Sequence, residues 1–251
     1  MVKVMINGCN GKMGRMLDEV IGSMEDVVIV AGVDVSDNGY YSYPVYSSIK
    51  QCEEDIDAVI DFTVSKITDQ VIDECVEKEY PLVLCTTGLT AEQMEHVRQA
   101  SRYIPIVQSY NMSLGINMLV KLLNACAPAL KEAGFDIELV EKHHNQKIDA
   151  PSGTALLLAD TINDACDKEY SYIYDRSPYR RKRDEKEIGI SSVRGGTIVG
   201  EHEVIFAGID EVIELKHQAF SKAVFAKGAV QAAKFLTTKE CGLYTMQDVI
   251  Q

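Results

Sequence analysis

Short apolar runs rich in β-branched residues, alternating with stretches of helical spacing, constrain this chain more than any other feature. The runs are VKVMI at 2–6, VVIVAGV at 27–33, DAVIDF at 57–62, PLVLCT at 81–86 and IPIVQS at 104–109. Helical periodicity appears at Met13, Met16, Leu17, Val20 and Ile21, and again near 66–78 and 90–101. Strands buried on both faces read as continuous apolar runs, and strands joined through helices lie parallel. The pattern predicts an α/β fold with a doubly wound parallel sheet covered by helices.

The rhythm then changes. Residues 115–132 have the spacing of one long helix, followed by the strand-like DIELVEK at 136–142 and a helix over about 154–166. A polar stretch at 167–187 holds Arg176, Arg180, Arg181, Lys182 and Arg183, expected to be a solvated loop or a local positive field that draws anions. Strand-like runs at 188–193, 201–208 and 211–217 adjoin one another, which predicts an antiparallel or mixed sheet. An alanine-rich helix over 221–236 and a tail with Met246, Val249 and Ile250 close the chain. The expected division is one domain of residues 1–113 with 222–251, and a second, α+β domain of residues 114–221 with an open mixed sheet.

Composition narrows the function. The chain has 251 residues, 46% of them hydrophobic and 25% charged, as a globular protein does. A formal net charge of −13 argues against a nucleic acid or an anionic membrane as partner, so any anionic substrate needs positive charge concentrated at its site. The cysteines at 9, 52, 75, 85, 126, 166 and 241 form no CxxC pair, which points to free thiols in a reducing compartment and to no metal site. No signal-peptide core or membrane-length apolar run is present, so the expected location is cytoplasmic.

The first strand-to-helix turn reads Gly8-Cys9-Asn10-Gly11-Lys12-Met13-Gly14. Glycines between a strand and a helix let the backbone approach a pyrophosphate at the helix N-terminus, as in a Rossmann-like dinucleotide domain. The spacing is GxxGxxG, a variant of the usual fingerprint. The second run ends at Asp34, suited to accept from ribose hydroxyls, and Val35, Ser36 and Asp37 after it offer no cation for a 2′-phosphate. The expected cofactor is therefore NADH, with NADPH as a second acceptable form, since Lys12 can meet either the pyrophosphate or a 2′-phosphate.

The stretch EKHHNQKIDAPSGTA at 141–155 carries the chemistry. It places two imidazoles, a lysine and an acid beside a Pro-Ser-Gly-Thr turn that opens a helix. Imidazole and ammonium groups transfer protons, and a helix N-terminus offers unpaired N–H groups to an anion. The plain alternative is a polar loop before a well-capped helix. Two more segments, Cys85-Thr86-Thr87-Gly88 and Ser109-Tyr110-Asn111-Met112-Ser113, fall where parallel strands end and ligands bind. His202 and His217 lie in strand-like runs and are expected to be packed, while Arg194 suits either a substrate cavity or a turn.

With ExHHxxKxDAPSGTA, a GxxGxMG start and VRGGxxxGEHxV at 193–204, the chain resembles the dihydrodipicolinate reductase family over essentially its whole length. The resemblance implies hydride transfer from a reduced nicotinamide to the ring of a cyclic dicarboxylate, with loss of water. That substrate is 4-hydroxy-tetrahydrodipicolinate, on the diaminopimelate route to lysine. It implies His143 as proton donor, Lys147 as a proton donor or cation beside the ring, and His144 as a substrate contact. Gly153 and Thr154 are implied as receptors of a substrate carboxylate, with Ser152 as N-cap or further ligand. It also implies Gly8, Cys9, Asn10, Gly11, Lys12 and Met13 at the pyrophosphate and Asp34 at the ribose. Cys85, Thr86, Thr87, Ser109, Tyr110, Asn111 and Met112 are implied beside the nicotinamide.

Three positions depart from the family pattern. Cys85 stands where glycine is usual, Met112 where an aromatic is common, and Lys222 where an arginine often reaches the substrate. A lysine keeps the charge but loses the bidentate fork. The resemblance further implies a homotetramer formed through the open sheet of the second domain. Another two-domain nicotinamide dehydrogenase, or a dinucleotide-sensing regulator, would share the glycine loop. Neither needs the 141–155 motif, and a regulator would normally bring a basic DNA-binding segment, which is not visible here.

Overall fold

Every strand of the first sheet carries apolar side chains to both faces, and helices cover both. The structure, a computed structural model, describes residues 1–250. β1 (Val2–Asn7) leads through the glycine turn into α1 (Lys12–Ile21), β2 (Val27–Val33) and a two-residue β3 (Val45–Tyr46). β4 (Ala58–Asp61), α2 (Thr68–Glu77), β5 (Leu82–Leu84), α3 (Ala91–Ala100) and β6 (Pro105–Gln108) follow. α3 starts at a capping box in which the Thr90 hydroxyl accepts from the Gln93 N–H, satisfying donors the first turn leaves open.

After α4 (Leu114–Glu132) come β7 (Asp136–His143), α5 (Gly153–Ala165), β8 (Ser171–Ile173), β9 (Glu187–Arg194), β10 (Gly200–Ala207) and β11 (Val212–Ala219). The chain then adds α6 (Ala223–Leu236), β12 (Gly242–Tyr244) and α7 (Met246–Val249). It divides into two units, Met1–Leu114 with Lys222–Gln251, and Gly115–Ser221.

The first unit holds a seven-stranded parallel sheet in the order β12-β6-β5-β4-β1-β2-β3. Val4, Ile6, Ile60, Val83 and Val107 pack on one face against α1 and α6, through Leu17, Ala229, Val230 and Ala233. Met5, Val59, Leu82, Leu84 and Ile106 pack on the other against α2 and α3, through Ile72, Cys75 and Val97. Sequence periodicity identifies five of these strands. The edge strands β3 and β12 are two and three residues long, too short to show a period. The tail, with Met246 fully buried, is thus part of the first unit's core.

The second unit is a mixed five-stranded sheet in the order β11-β10-β7-β9-β8. β10 is antiparallel to β11 and β7, whereas β9 is parallel to β7 and β8. α4 and α5 cover one face, where Leu119, Leu123, Leu158 and Ile162 meet Leu139, Ile190, Val204 and Phe206.

The basic stretch is largely exposed, but three of its cations, Arg176, Arg181 and Arg183, are paired with acids. Arg176 pairs with Glu187 and Glu138, and Arg181 with Glu187. Arg183 pairs with Asp136 and Glu138 and donates to the Ile137 and Glu187 carbonyls. Opposed carboxylates on β7 and β9 thus use these cations to clasp the loop to the sheet. Glu187 lies close in sequence, but nothing in the local sequence of 176–183 reveals Asp136 and Glu138, about forty residues away.

Candidate active site

β7 buries Ile137, Leu139, Glu141 and His143, every second residue, on its helix-covered face. Strand geometry demands this alternation. The first two side chains are ordinary core, and the last two break the apolar pattern with a carboxylate and an imidazole. Glu141 is fully buried, and burying a charge is costly unless it is paired and hydrogen-bonded. Here the pairing is complete. Oε1 accepts from Arg194 Nη2 at 2.6 Å and from the Ser152 N–H at 3.1 Å. Oε2 accepts from Arg194 Nη1 at 2.7 Å and lies 2.5 Å from His143 Nδ1. Burial alone would raise the carboxyl's pKa, but the Arg194 guanidinium, the Ser192 side chain and His143 hold it down at about 2.

His143 feels the opposite balance. Burial lowers its pKa, Glu141 pulls it up, and the charges of Lys147 and Arg194 lower it further, with a net shift downward. Its Nε2 edge lies against β10 at Gly200, where a β-carbon would stand 3.2 Å away. Lys147 reaches Asp149 Oδ1 at 2.9 Å, and Arg194 donates to the Asp149 carbonyl at 2.7 Å. The 144–152 loop thus holds an internal ion pair and is tied to β9 through the Asp149 carbonyl.

α5 begins at Ser152, whose hydroxyl accepts from the Ala155 N–H at 3.1 Å as an N-cap. The same oxygen lies 3.0 Å from His202 Nε2. His202 is buried, which pushes its pKa down to about 3, and its ring meets His143 edge-on with centroids 5.2 Å apart. Gly153 and Thr154 follow in the first turn, and a β-carbon at Gly153 would meet open space. The His143 imidazole and a helix N-terminus therefore share one carboxylate.

The first unit carries the glycine turn and the loops around it. Gly8 has φ +83° and donates to the Val33 carbonyl at 2.8 Å. A β-carbon on Gly14 would fall 2.3 Å from the Gly8 carbonyl oxygen, so the helix can close on the loop only with glycine there. Gly11 is the N-cap of α1 without a side-chain cap, and the first turn, with Lys12 and Met13, has no acid. This leaves the positive helix end for an anion. Asp34 accepts from the Asn10 N–H at 2.9 Å and the Val35 N–H at 2.8 Å, so it braces the loop. The Tyr41 hydroxyl donates to the Cys9 carbonyl at 2.7 Å. Asn10, Arg15, Asp18, Glu19, Asn38, Tyr40 and Tyr41 line a cavity of about 420 Å³. These features fit a dinucleotide.

At the ends of β4 and β5, buried Asp61 accepts from Asn7, Thr63 and Thr86 at 2.8, 2.7 and 2.6 Å. Cys85 and Thr86 are buried, and Thr87 is exposed. Ser109 Oγ donates to the Asn111 carbonyl, Tyr110 is exposed, and Met112 is buried in the first unit's core. The side chains of Cys85, Thr86 and Met112 are thus packed inside the first unit. Lys222 is the exposed N-cap of α6, in the first unit.

Two family models, the N-terminus and the C-terminus of dihydrodipicolinate reductase, match residues 2–112 and 115–250. The chain belongs to the dihydrodipicolinate reductase family. It is 47% identical to the 4-hydroxy-tetrahydrodipicolinate reductase of Caldanaerobacter subterraneus subsp. tengcongensis, over 100% of this chain and 99% of that one. It is 49% identical to the one from Clostridium tetani, over 98% and 96%. A solved dipicolinate-bound dihydrodipicolinate reductase from Paenisporosarcina superposes with a TM-score of 0.81 at 23% identity, covering 98% of this chain and 97% of that one. A member of this reductase family is an oxidoreductase with a nicotinamide cofactor.

The contacts that gather Glu141, Arg194 and His202 around His143 and Ser152 are not legible in the sequence. In the sequence Glu141 is only the acid that opens the motif, and Arg194 suits a substrate cavity or a turn, with nothing to pair the two. The signal available was the two-residue period that sets Glu141 and His143 on one strand face. The distance in sequence from Glu141 to Arg194 and His202 hid the rest. His202 is packed, as its strand-like surroundings predict. Among the described residues no helix is long and apolar enough to cross a membrane.

Proposed function

We propose that the chain reduces 4-hydroxy-tetrahydrodipicolinate to tetrahydrodipicolinate on the diaminopimelate route to lysine, with NADH as preferred reductant. The observation that carries this reading is the Glu141–His143–Ser152 cluster, which sets a proton-transfer imidazole beside an anion-receiving helix start. The dipicolinate named in the solved relative's title supports a small dicarboxylate as ligand.

Reduced nicotinamide supplies the hydride. The substrate ring gains that hydride and a proton, and its hydroxyl leaves as water with a second proton taken from the ring. His143 is the proton donor, and Lys147 is the cation that offsets charge developing on the ring. His144 contacts the substrate. The Gly153 and Thr154 N–H groups, with Ser152 as N-cap, receive one carboxylate at the α5 N-terminus, and Lys222 contributes positive charge to the substrate.

In the first unit, residues 8–13 hold the pyrophosphate and Asp34 the ribose. The 85–87 and 109–112 segments hold the nicotinamide end. Asp18 and Glu19 line the same cavity as Arg15, and Asp34 and Asp37 lie at the end of β2. This excess of acids disfavours a 2′-phosphate and supports NADH over NADPH. The first unit is thus the dinucleotide-binding domain and the second the substrate domain, which also assembles a homotetramer through its open sheet face in the cytoplasm.

The test is oxidation of NADH, followed at 340 nm, with enzymatically generated substrate, repeated with NADPH. Turnover that disappears in His143→Ala supports the assignment. NADH binding without turnover on this substrate refutes it.

A further inference from the structure

The second unit buries one carboxylate in the middle of the proton-transfer site and gives it donors on three separate elements. Glu141 is on β7, Arg194 ends β9, and Ser152 starts α5. A purely structural ion pair between Glu141 and Arg194 would be complete with the two guanidinium contacts, at 2.6 and 2.7 Å. The carboxylate instead takes further partners, among them the proton-transfer imidazole and the helix start. Oε2 lies 2.5 Å from His143 Nδ1, and Oε1 accepts from the Ser152 N–H at 3.1 Å.

We propose that Glu141 is a positioning residue: it fixes the tautomer and ring orientation of His143 and holds that ring in register with the N-terminus of α5. An ionised carboxylate is only an acceptor, so the nitrogen facing it must carry the proton. Neutral His143 is then the Nδ1–H tautomer, and Nε2 is the atom that exchanges a proton with a bound molecule. The two-pronged Arg194 contact prevents the carboxylate from rotating, because a planar fork matches both oxygens at once. Ser152 is held from its other side by His202, so the helix start cannot drift from the ring. Orienting groups of this kind act at one remove, and their loss typically costs 10- to 100-fold, and about 10⁴-fold where the tautomer is lost.

This proposal rests on the assignment of His143 as proton donor, and the experiments separate the two. Imidazole ¹⁵N spectra of the wild-type protein should show His143 protonated at Nδ1 and bare at Nε2 in its neutral form. The reverse tautomer overturns the proposal, and this measurement needs no variant.

Glu141→Gln should lower kcat/KM by about 100-fold or more, with the Kd for NADH unchanged. Its pH profile should shift, because His143 would then face only Lys147, Arg194 and neutral His202. In a His143→Ala background, Glu141→Gln should cost nothing further, since its effect passes through that ring. Near-wild-type turnover of Glu141→Gln, with His143→Ala inactive, overturns the positioning role and leaves the proton donor standing. An equal loss in both backgrounds also overturns it, by making the role purely structural. Full turnover of His143→Ala overturns the proton-donor assignment and this proposal together.

Discussion

Arg194 grips Glu141 with both terminal nitrogens, at 2.7 and 2.6 Å, and Glu141 has no exposed surface. Removing one partner of a buried pair leaves an uncompensated charge, whereas replacing both can be nearly neutral. Arg194→Met should therefore destabilise the chain by about 3–5 kcal/mol. Urea denaturation of Arg194→Met beside Arg194→Met with Glu141→Leu checks this. The double variant should recover part of the loss, and no recovery would mean that the charge is not what the arginine compensates.

Gly200 leaves room for His143, and a β-carbon there would stand 3.2 Å from Nε2. The ring is held at Nδ1 by Glu141 and cannot retreat freely. Gly200→Ala should lower kcat/KM about tenfold, an expectation set by the sensitivity of catalysis to small misplacements. Binding of NADH, measured by fluorescence titration, should be unaffected. Unchanged kcat/KM would show that the ring has slack.

Gly14 gives the converse result in the first unit. A methyl group there would collide with the Gly8 and Cys9 carbonyl oxygens, at 2.3 and 2.4 Å from the β-carbon. Gly14→Ala must push α1 away from the loop. Titration should show NADH affinity falling at least tenfold, by analogy with the packing role of the third glycine in such loops. Amide hydrogen exchange in β7 and α5 should be unchanged. Retained affinity would remove the glycine turn from the nucleotide site.

Acid should destabilise the second unit through His202. An unfolded histidine takes up a proton near pH 6.5, but burial delays this to about pH 3 in the folded chain. Between those values the unfolded state holds more protons, so His202 costs no stability above the upper value and an increasing amount as pH falls toward the lower one. The slope is up to about 1.4 kcal/mol per pH unit. Melting curves of His202→Gln should show a flatter decline over this window than wild type, as glutamine cannot titrate and can still bond Ser152. Parallel declines would assign the acid sensitivity to other groups.

The reading from sequence succeeded where local physics is repetitive. Strands β1, β2, β4, β5 and β6 bury both faces, so their apolar runs needed no partner to be recognised. The 3.6-residue period marked α4, α5 and α6 within two residues of their ends. β3, β8 and β12 were missed because strands of two or three residues carry no measurable period, and they exist only because a longer neighbour offers an edge.

By itself, then, the sequence determined the α/β class, the glycine turn and the proton-bearing motif at 141–155, since each is written in adjacent residues. Tertiary structure alone decided how the charges are used. It turned Arg176, Arg181 and Arg183 into a clasp for Glu138 and Glu187, and it brought Arg194 and His202 to the motif from fifty or more residues away. The physical reason is that a charge's role depends on which opposite charges and donors lie within a few ångströms after folding. In a sheet, that is set by strand order and register rather than by distance along the chain.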